Sequence, residues 1–131
     1  MNEETSSKIS RFLKRCINLP GYIVTVYLKD KKSCEAVRNS IDELQSYLIL
    51  AEWVNAETSL KFLFNNGSVF EFIADRPKGK ESHVIIVDQR MSRKELDAEI
   101  APKIIQYETE TGAILNPKPI YLKFVDIERN I

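Results

Sequence analysis

The residues best placed to do chemistry are acidic side chains that close apolar runs. Val84-Ile85-Ile86-Val87 ends on Asp88. A buried strand of this kind delivers its last carboxylate to the carboxyl edge of a sheet, where a phosphate-bound Mg²⁺ is within reach. The same pattern also arises wherever a buried strand simply gives way to a polar turn. Cations flank the run on both sides, Arg76, Lys78 and Lys80 before it and Arg90, Arg93 and Lys94 after it. A strand of that length separates the two clusters by roughly 20 Å. They are therefore two patches, each able to meet phosphates or to lie solvated beside Asp75 and Glu81. A Mg²⁺ nuclease needs an acidic residue on one strand and a Glu-x-Lys on the next. Glu71 and Asp88 occupy candidate strands, but no Glu-x-Lys follows on a strand. His83 opens its strand with no nucleophilic motif nearby, so it takes no catalytic role. Cys16 and Cys34 lie on predicted helices without metal-ligand spacing, and with a single His the reading is two buried, reduced thiols and no zinc.

Bulk properties narrow the function classes. The chain has 131 residues, a length that suits one domain, 1–131, with a real core. Its 19 basic and 19 acidic side chains cancel, which argues against a generic polyanion binder. No apolar run approaches the ~20 residues of a membrane span, and Met1-Asn2-Glu3-Glu4-Thr5 is too acidic for a signal peptide. The expected setting is cytoplasm.

The elements that must position these residues are legible from periodicity. Ile9, Phe12, Leu13, Cys16 and Ile17 form one helical stripe, capped by Thr5, Ser6 or Ser7 and stopped by Pro20-Gly21. Tyr22 to Leu28 is β-branched and aromatic throughout, hence a buried strand. Ser33 caps a second helix whose stripe is Cys34, Val37, Ile41, Leu44 and Leu48. Glu52 to Ser59 reads as a connection around the only Trp, Trp53. Leu60–Phe64 and Ser68–Ala74 flank Asn66-Gly67, the signal of a two-residue type I′ hairpin. That loop pairs Phe64 with Val69, Leu63 with Phe70 and Leu60 with Ile73. Asp75 to Ser82 is a loop. His83 to Val87 is a second buried strand, parallel to Tyr22–Leu28. Ser92-Arg93-Lys94-Glu95 is a capping box that opens a third helix, ended or kinked by Pro102, with Ile104-Ile105 as a further short segment. Thr111-Gly112 and Asn116 to Pro119 are turns, and Ile120 to Val125 is a last strand.

This order of elements resembles the ATPase core of phage terminase large subunits. The residues that carry the likeness are Lys61-Phe62-Leu63-Phe64-Asn65-Asn66-Gly67-Ser68-Val69-Phe70-Glu71-Phe72, then Lys78-Gly79-Lys80, then Val84-Ile85-Ile86-Val87-Asp88, within a span from about Ser6 to Ile104. The last run matches the Walker B pattern. The resemblance implies a P-loop-NTPase-like fold and a role in driving DNA into a capsid. It also implies that Lys8 and Ser10 stand where the nucleotide-binding loop would be and that Asp88 stands at the metal position. The chain departs from the family in two places. The phosphate loop is Gly-rich and ends Gly-Lys-Ser/Thr, because backbone N–H groups wrap the phosphates and Lys reaches them. Here Thr5-Ser6-Ser7-Lys8-Ile9-Ser10 contains no glycine. With the chain read from Met1, the strand that precedes that loop is expected to be missing as well. Gln89 then follows Asp88, where the family has a carboxylate that orients or deprotonates the attacking water. Gln can hold a water but cannot take its proton.

The expectation is an α/β domain of three layers, with a mixed sheet of P-loop type containing one tight hairpin. The expected function is a non-hydrolysing accessory or interaction protein in phage DNA packaging or genome handling. The alternative is a small binding protein that regulates or inhibits a host or phage enzyme. No cofactor is expected, Mg²⁺ with a nucleotide being the alternative. The partner is expected to be another protein, with nucleic acid as the second candidate and no membrane. If Tyr22–Leu28 and His83–Val87 run parallel, Asp88 shares one edge with the turn Lys29 to Lys32. Lys31, Lys32, Arg90, Arg93 and Lys94 are then the candidate phosphate or nucleic-acid contacts.

Overall fold

The computed structural model describes residues 3–40, 44–49, 51–74, 82–91 and 120–122. Helix α1 (Glu3–Asn18) carries the expected stripe, with Ile9, Phe12, Leu13 and Cys16 buried, although Ile17 stays 43% exposed. It starts at Glu3, ahead of the expected caps, and Thr5 is buried within its first turn. Glu3 and Glu4 suit the positive end of a helix, which removes the need for a hydroxyl cap further along. Strand β1 (Ile23–Tyr27) is followed by α2 (Lys31–Asn39). The N-cap of α2 is Asp30 and not Ser33, because the Asp30 carboxylate accepts the Ser33 amide at 2.8 Å. The second stripe is also divided: α2 ends at Asn39, and Leu48 belongs to a short helix α3 (Gln45–Leu48).

Glu52 to Ala56 is strand β2, where the sequence suggested an irregular connection. Its pattern was illegible because all five residues are exposed, so no alternation of buried and exposed positions marks it. Strands β3 (Ser59–Leu63), β4 (Val69–Ile73), β5 (Val84–Asp88) and β6 (Ile120–Leu122) complete a mixed, open sheet in the order β2-β3-β4-β1-β5-β6. β2, β3 and β4 form an antiparallel meander, and β4, β1, β5 and β6 run parallel. The protein is thus an α/β chain. The predicted helix from Ser92, the segments that follow it, and the loop Asp75 to Glu81 lie outside the described residues, as do the turns before Ile120 and the strand positions beyond Leu122.

The hairpin differs from its expected register by one residue. Leu63 pairs with Val69, Phe62 with Phe70, Lys61 with Glu71 and Leu60 with Phe72. The loop has three residues, Asn65-Asn66-Gly67, closed by Phe64 N–H to Ser68 O at 3.0 Å and Gly67 N–H to Phe64 O at 3.1 Å. Within this loop only Gly67 takes positive φ (85°), whereas a type I′ turn would demand it of Asn66 too. Asn66 is instead held by its side chain, whose Nδ2 donates to the carbonyls of Cys16, Ile17 and Leu19 at 2.8–3.2 Å. Its Oδ1 accepts the Ser68 amide at 3.0 Å. The turn therefore closes the carboxyl end of α1, satisfying carbonyls a helix leaves open. The slip also decides pairing across the ribbon, since a one-residue shift exchanges partners and faces. Lys61 now stands opposite Glu71, Nζ to Oε2 at 3.9 Å, and aromatic rings stand opposite apolar ones.

All three described helices lie on one face. Ile9, Phe12, Leu13, Cys34, Val37, Leu44 and Leu48 pack with Val24, Val26, Leu60, Phe62, Phe70, Phe72, Val84 and Ile86 in one core. Phe62, Phe70 and Phe72 interlock there, with ring centroids 5.3–6.5 Å apart. The opposite face carries Lys61, Glu71 and Thr25 in a row, with Tyr27, Ile85 and Val87 clustered beside them. Cys16 and Cys34 are free and buried, and burial pushes the Cys16 thiol up to about 12, so it does not act as a thiolate at neutral pH.

Candidate functional site at the carboxyl edge of the sheet

β1 and β5 are parallel neighbours, with Val24 beside Val84 and Tyr27 beside Val87. Asp88 therefore stands at the same edge as the turn that follows β1. The hairpin loop is at the other edge, where Tyr22 N–H donates to Ser68 Oγ at 3.0 Å. Alternation along β5 puts Asp88 on the helix-bearing face with Val84 and Ile86, directed toward α2. Its side chain is fully buried.

The partner of this carboxylate is Arg90, two residues on. Arg90 Nε lies 3.0 Å from Oδ1 and 3.2 Å from Oδ2, its Nη2 donates to Oδ2, and its backbone N–H donates to Oδ1 at 3.1 Å. The guanidinium continues to Ser33, Nη2 to Oγ at 3.0 Å. The Ser33 hydroxyl in turn donates to Asp30 Oδ1 at 2.8 Å. Asp88, Arg90, Ser33 and Asp30 thus form one chain of charge-assisted hydrogen bonds that ties the end of β5 to the start of α2. Partial burial opposes the charge on Asp30. The Ser33 amide and hydroxyl, with Lys29 and Arg90 nearby, outweigh it and hold that carboxyl below its ordinary value.

The chemistry available here is neutralisation. The guanidinium takes both oxygens of Asp88. The Ser33 hydroxyl is buried, donating to Asp30 and accepting from Arg90. Among the described residues no group of three or more His, Cys, Asp and Glu gathers. Glu71 cannot join Asp88 around one ion, because Glu71 aligns with Thr25 and Ile85 on the opposite face of the sheet.

The remaining sequence candidates are distributed as follows. Lys31 is exposed, and its Nζ pairs with Glu57 in the β2–β3 turn. Lys32 is exposed in the first turn of α2, and Gln89 is exposed beside Asp88. Arg90 points inward to Asp88 and does not face solvent as a phosphate contact would. Lys8 pairs with Glu4 at 3.4 Å, and Ser10 Oγ donates to Ser6 O at 2.8 Å, both within α1. Arg93 and Lys94 lie outside the described residues, as do Arg76, Lys78 and Lys80. His83 Nδ1 accepts the Ile23 amide at 3.0 Å, and its ring stacks on Tyr22 with centroids 5.3 Å apart. The sequence reading missed Arg90 as the counter-charge of Asp88. The signal was present, since Asp-x-Arg after an apolar strand puts a fork-shaped cation within reach of a carboxylate two residues back. No helix among the described residues is long and apolar enough to cross a membrane. Comparison with protein-family models, with curated proteins and with solved structures finds no match.

Proposed function

We propose that the chain is a non-hydrolysing relative of the terminase ATPase core, a three-layer domain of P-loop type that acts through protein contact in phage DNA packaging or genome handling. The observation that carries this reading is the Asp88 edge. A strand of Walker B character runs parallel to β1 and ends beside the start of α2, yet Arg90 closes its carboxylate. An internal guanidinium supplies the positive charge that a Mg²⁺ ion would otherwise bring. It therefore keeps the architecture while removing the need for a cofactor. Gln89, exposed next to it, supplies no base. Lys8 and Ser10, tied within α1, offer no phosphate cradle.

The test is a turnover assay on the full chain with Mg²⁺ and ATP, alone and with a purified packaging ATPase. The expected result is no turnover by the chain alone and association with the packaging ATPase in sedimentation. Magnesium-dependent turnover that disappears in Asp88→Ala restores an enzyme. Absence of association transfers the protein to the regulatory reading.

A further inference from the structure

Among the described residues nothing pairs with or covers the antiparallel edge of the sheet, and all five residues of β2 are exposed. β2 carries no Lys, no Pro and no bulge, and Glu52 is its only charged residue. Proteins usually protect such an edge by one of these devices. The hydrogen-bond ladder fixes which backbone groups are available. Phe64 bonds to Ser68 and Ala74 to Thr58, so the even positions of β3 bond to β4 and the odd positions turn to β2. Ser59, Lys61 and Leu63 pair with Ala56, Val54 and Glu52. The amides and carbonyls of Trp53 and Asn55 are therefore directed away from the sheet.

We propose that β2 pairs with β2 of a second copy of this chain, antiparallel about a two-fold axis through Val54, joining two sheets into one. In that register Trp53 and Asn55 of each copy exchange both bonds with Asn55 and Trp53 of the other, so all four outward residues are used. Val54 meets Val54. Glu52 falls opposite Ala56, and no like charges are opposed. The side chains fit as well. Arg38 holds Asn55 Oδ1 at 3.3 Å and the Ala56 carbonyl at 2.7 Å, which places its guanidinium over Asn55 on the helix-bearing face. Trp53 lies on that same face, edge-on to Phe62 and 38% exposed. Directly opposed residues approach within about 5.5 Å. The indole of each copy then meets the guanidinium of the other, a cation–π pair made twice by symmetry. Ile49, 78% exposed beside Trp53, extends the apolar margin of the contact. This inference does not depend on the reading of the Asp88 edge, and its test involves no nucleotide.

The experiment is sedimentation of the full chain across a concentration series, with circular dichroism to confirm folding. The wild type should approach twice the mass of one chain, and Val54→Lys, which opposes two cations across the axis, should sediment as one chain with an unchanged spectrum. Val54→Cys should form a disulfide-linked dimer on mild oxidation, since Cys16 and Cys34 are buried. Asn55→Cys should not, because the register sets Asn55 opposite Trp53. A monomeric wild type overturns the proposal, as does a dimer that persists in Val54→Lys or an equal yield of linked dimer from the two cysteine variants.

Discussion

Replacing Arg90 by Met isolates the role of the guanidinium. The change keeps most of the side-chain volume and leaves Asp88 with only the Arg90 backbone amide among the donors described above. The Arg90 side chain is 17% exposed and that of Asp88 is 0% exposed, so the pair belongs with buried ion pairs and not with surface ones. Removing one member of a buried pair costs about 3–5 kcal/mol, because the remaining charge stays uncompensated. With a urea m-value of about 1–3 kcal/mol/M, the unfolding midpoint should fall by at least about 1 M. Trp53, packed edge-on against Phe62 at 5.3 Å, provides the fluorescence signal, with circular dichroism as a second probe. Asp88→Asn combined with Arg90→Met should recover much of the loss, since no buried charge is then left. A double-mutant cycle reads that coupling directly. A loss below about 1 kcal/mol for Arg90→Met, the magnitude of an exposed pair, would show that Arg90 is not the buried counter-charge of Asp88. The carboxylate would then be solvated and open to other cations.

Two further outcomes follow from the edge opposite Asp88. Asn66→Ala removes the donor shared by three carbonyls at the end of α1 and should cost about 1–3 kcal/mol, read as a lowered urea midpoint. An unchanged midpoint would show that water replaces the amide. His83 gives a pH dependence: burial lowers its pKa below 6.5, so the folded protein keeps the ring neutral while the unfolded chain takes a proton. Its contribution is therefore complete above about pH 6.5 and is lost as pH falls from that value toward the lowered one. His83→Gln should flatten this part of the stability profile, and an identical slope in both proteins would remove His83 as its source.

The sequence revealed the parallel core because β1 and β5 are buried on both faces and read as continuous β-branched runs. Asp88 was legible for the same reason, as the polar residue that ends such a run. The hairpin was recognisable, but its register was not. Local turn preference favours two residues at Asn-Gly, and the third is claimed by a tertiary contact, the Asn66 amide closing α1 from about fifty positions away in sequence. β2 was invisible because an exposed edge strand has no buried face to imprint a pattern on EWVNA. The Asp30 cap was mistaken for Ser33 since both residues suit the position. Only the geometry shows that Ser33 lies inside the helix, donating to Asp30 and accepting from Arg90. The role of Arg90 was hidden by its company, because a cation next to Arg93 and Lys94 reads as part of a surface patch until its side chain is seen to turn inward.

An internal guanidinium holds both oxygens of the Asp88 carboxylate, and on the proposed function it stands where a metal–nucleotide complex would otherwise bind. The most direct measurement is a proton–nitrogen correlation spectrum of the arginine Nε–H groups, recorded during a titration with Mg²⁺ and ATP. A slowly exchanging Arg90 Nε–H resonance is expected, lost or shifted in Asp88→Asn and unmoved as Mg²⁺ and ATP are added. A resonance that moves saturably with Mg²⁺ and ATP, and only while Asp88 is present, would contradict this expectation.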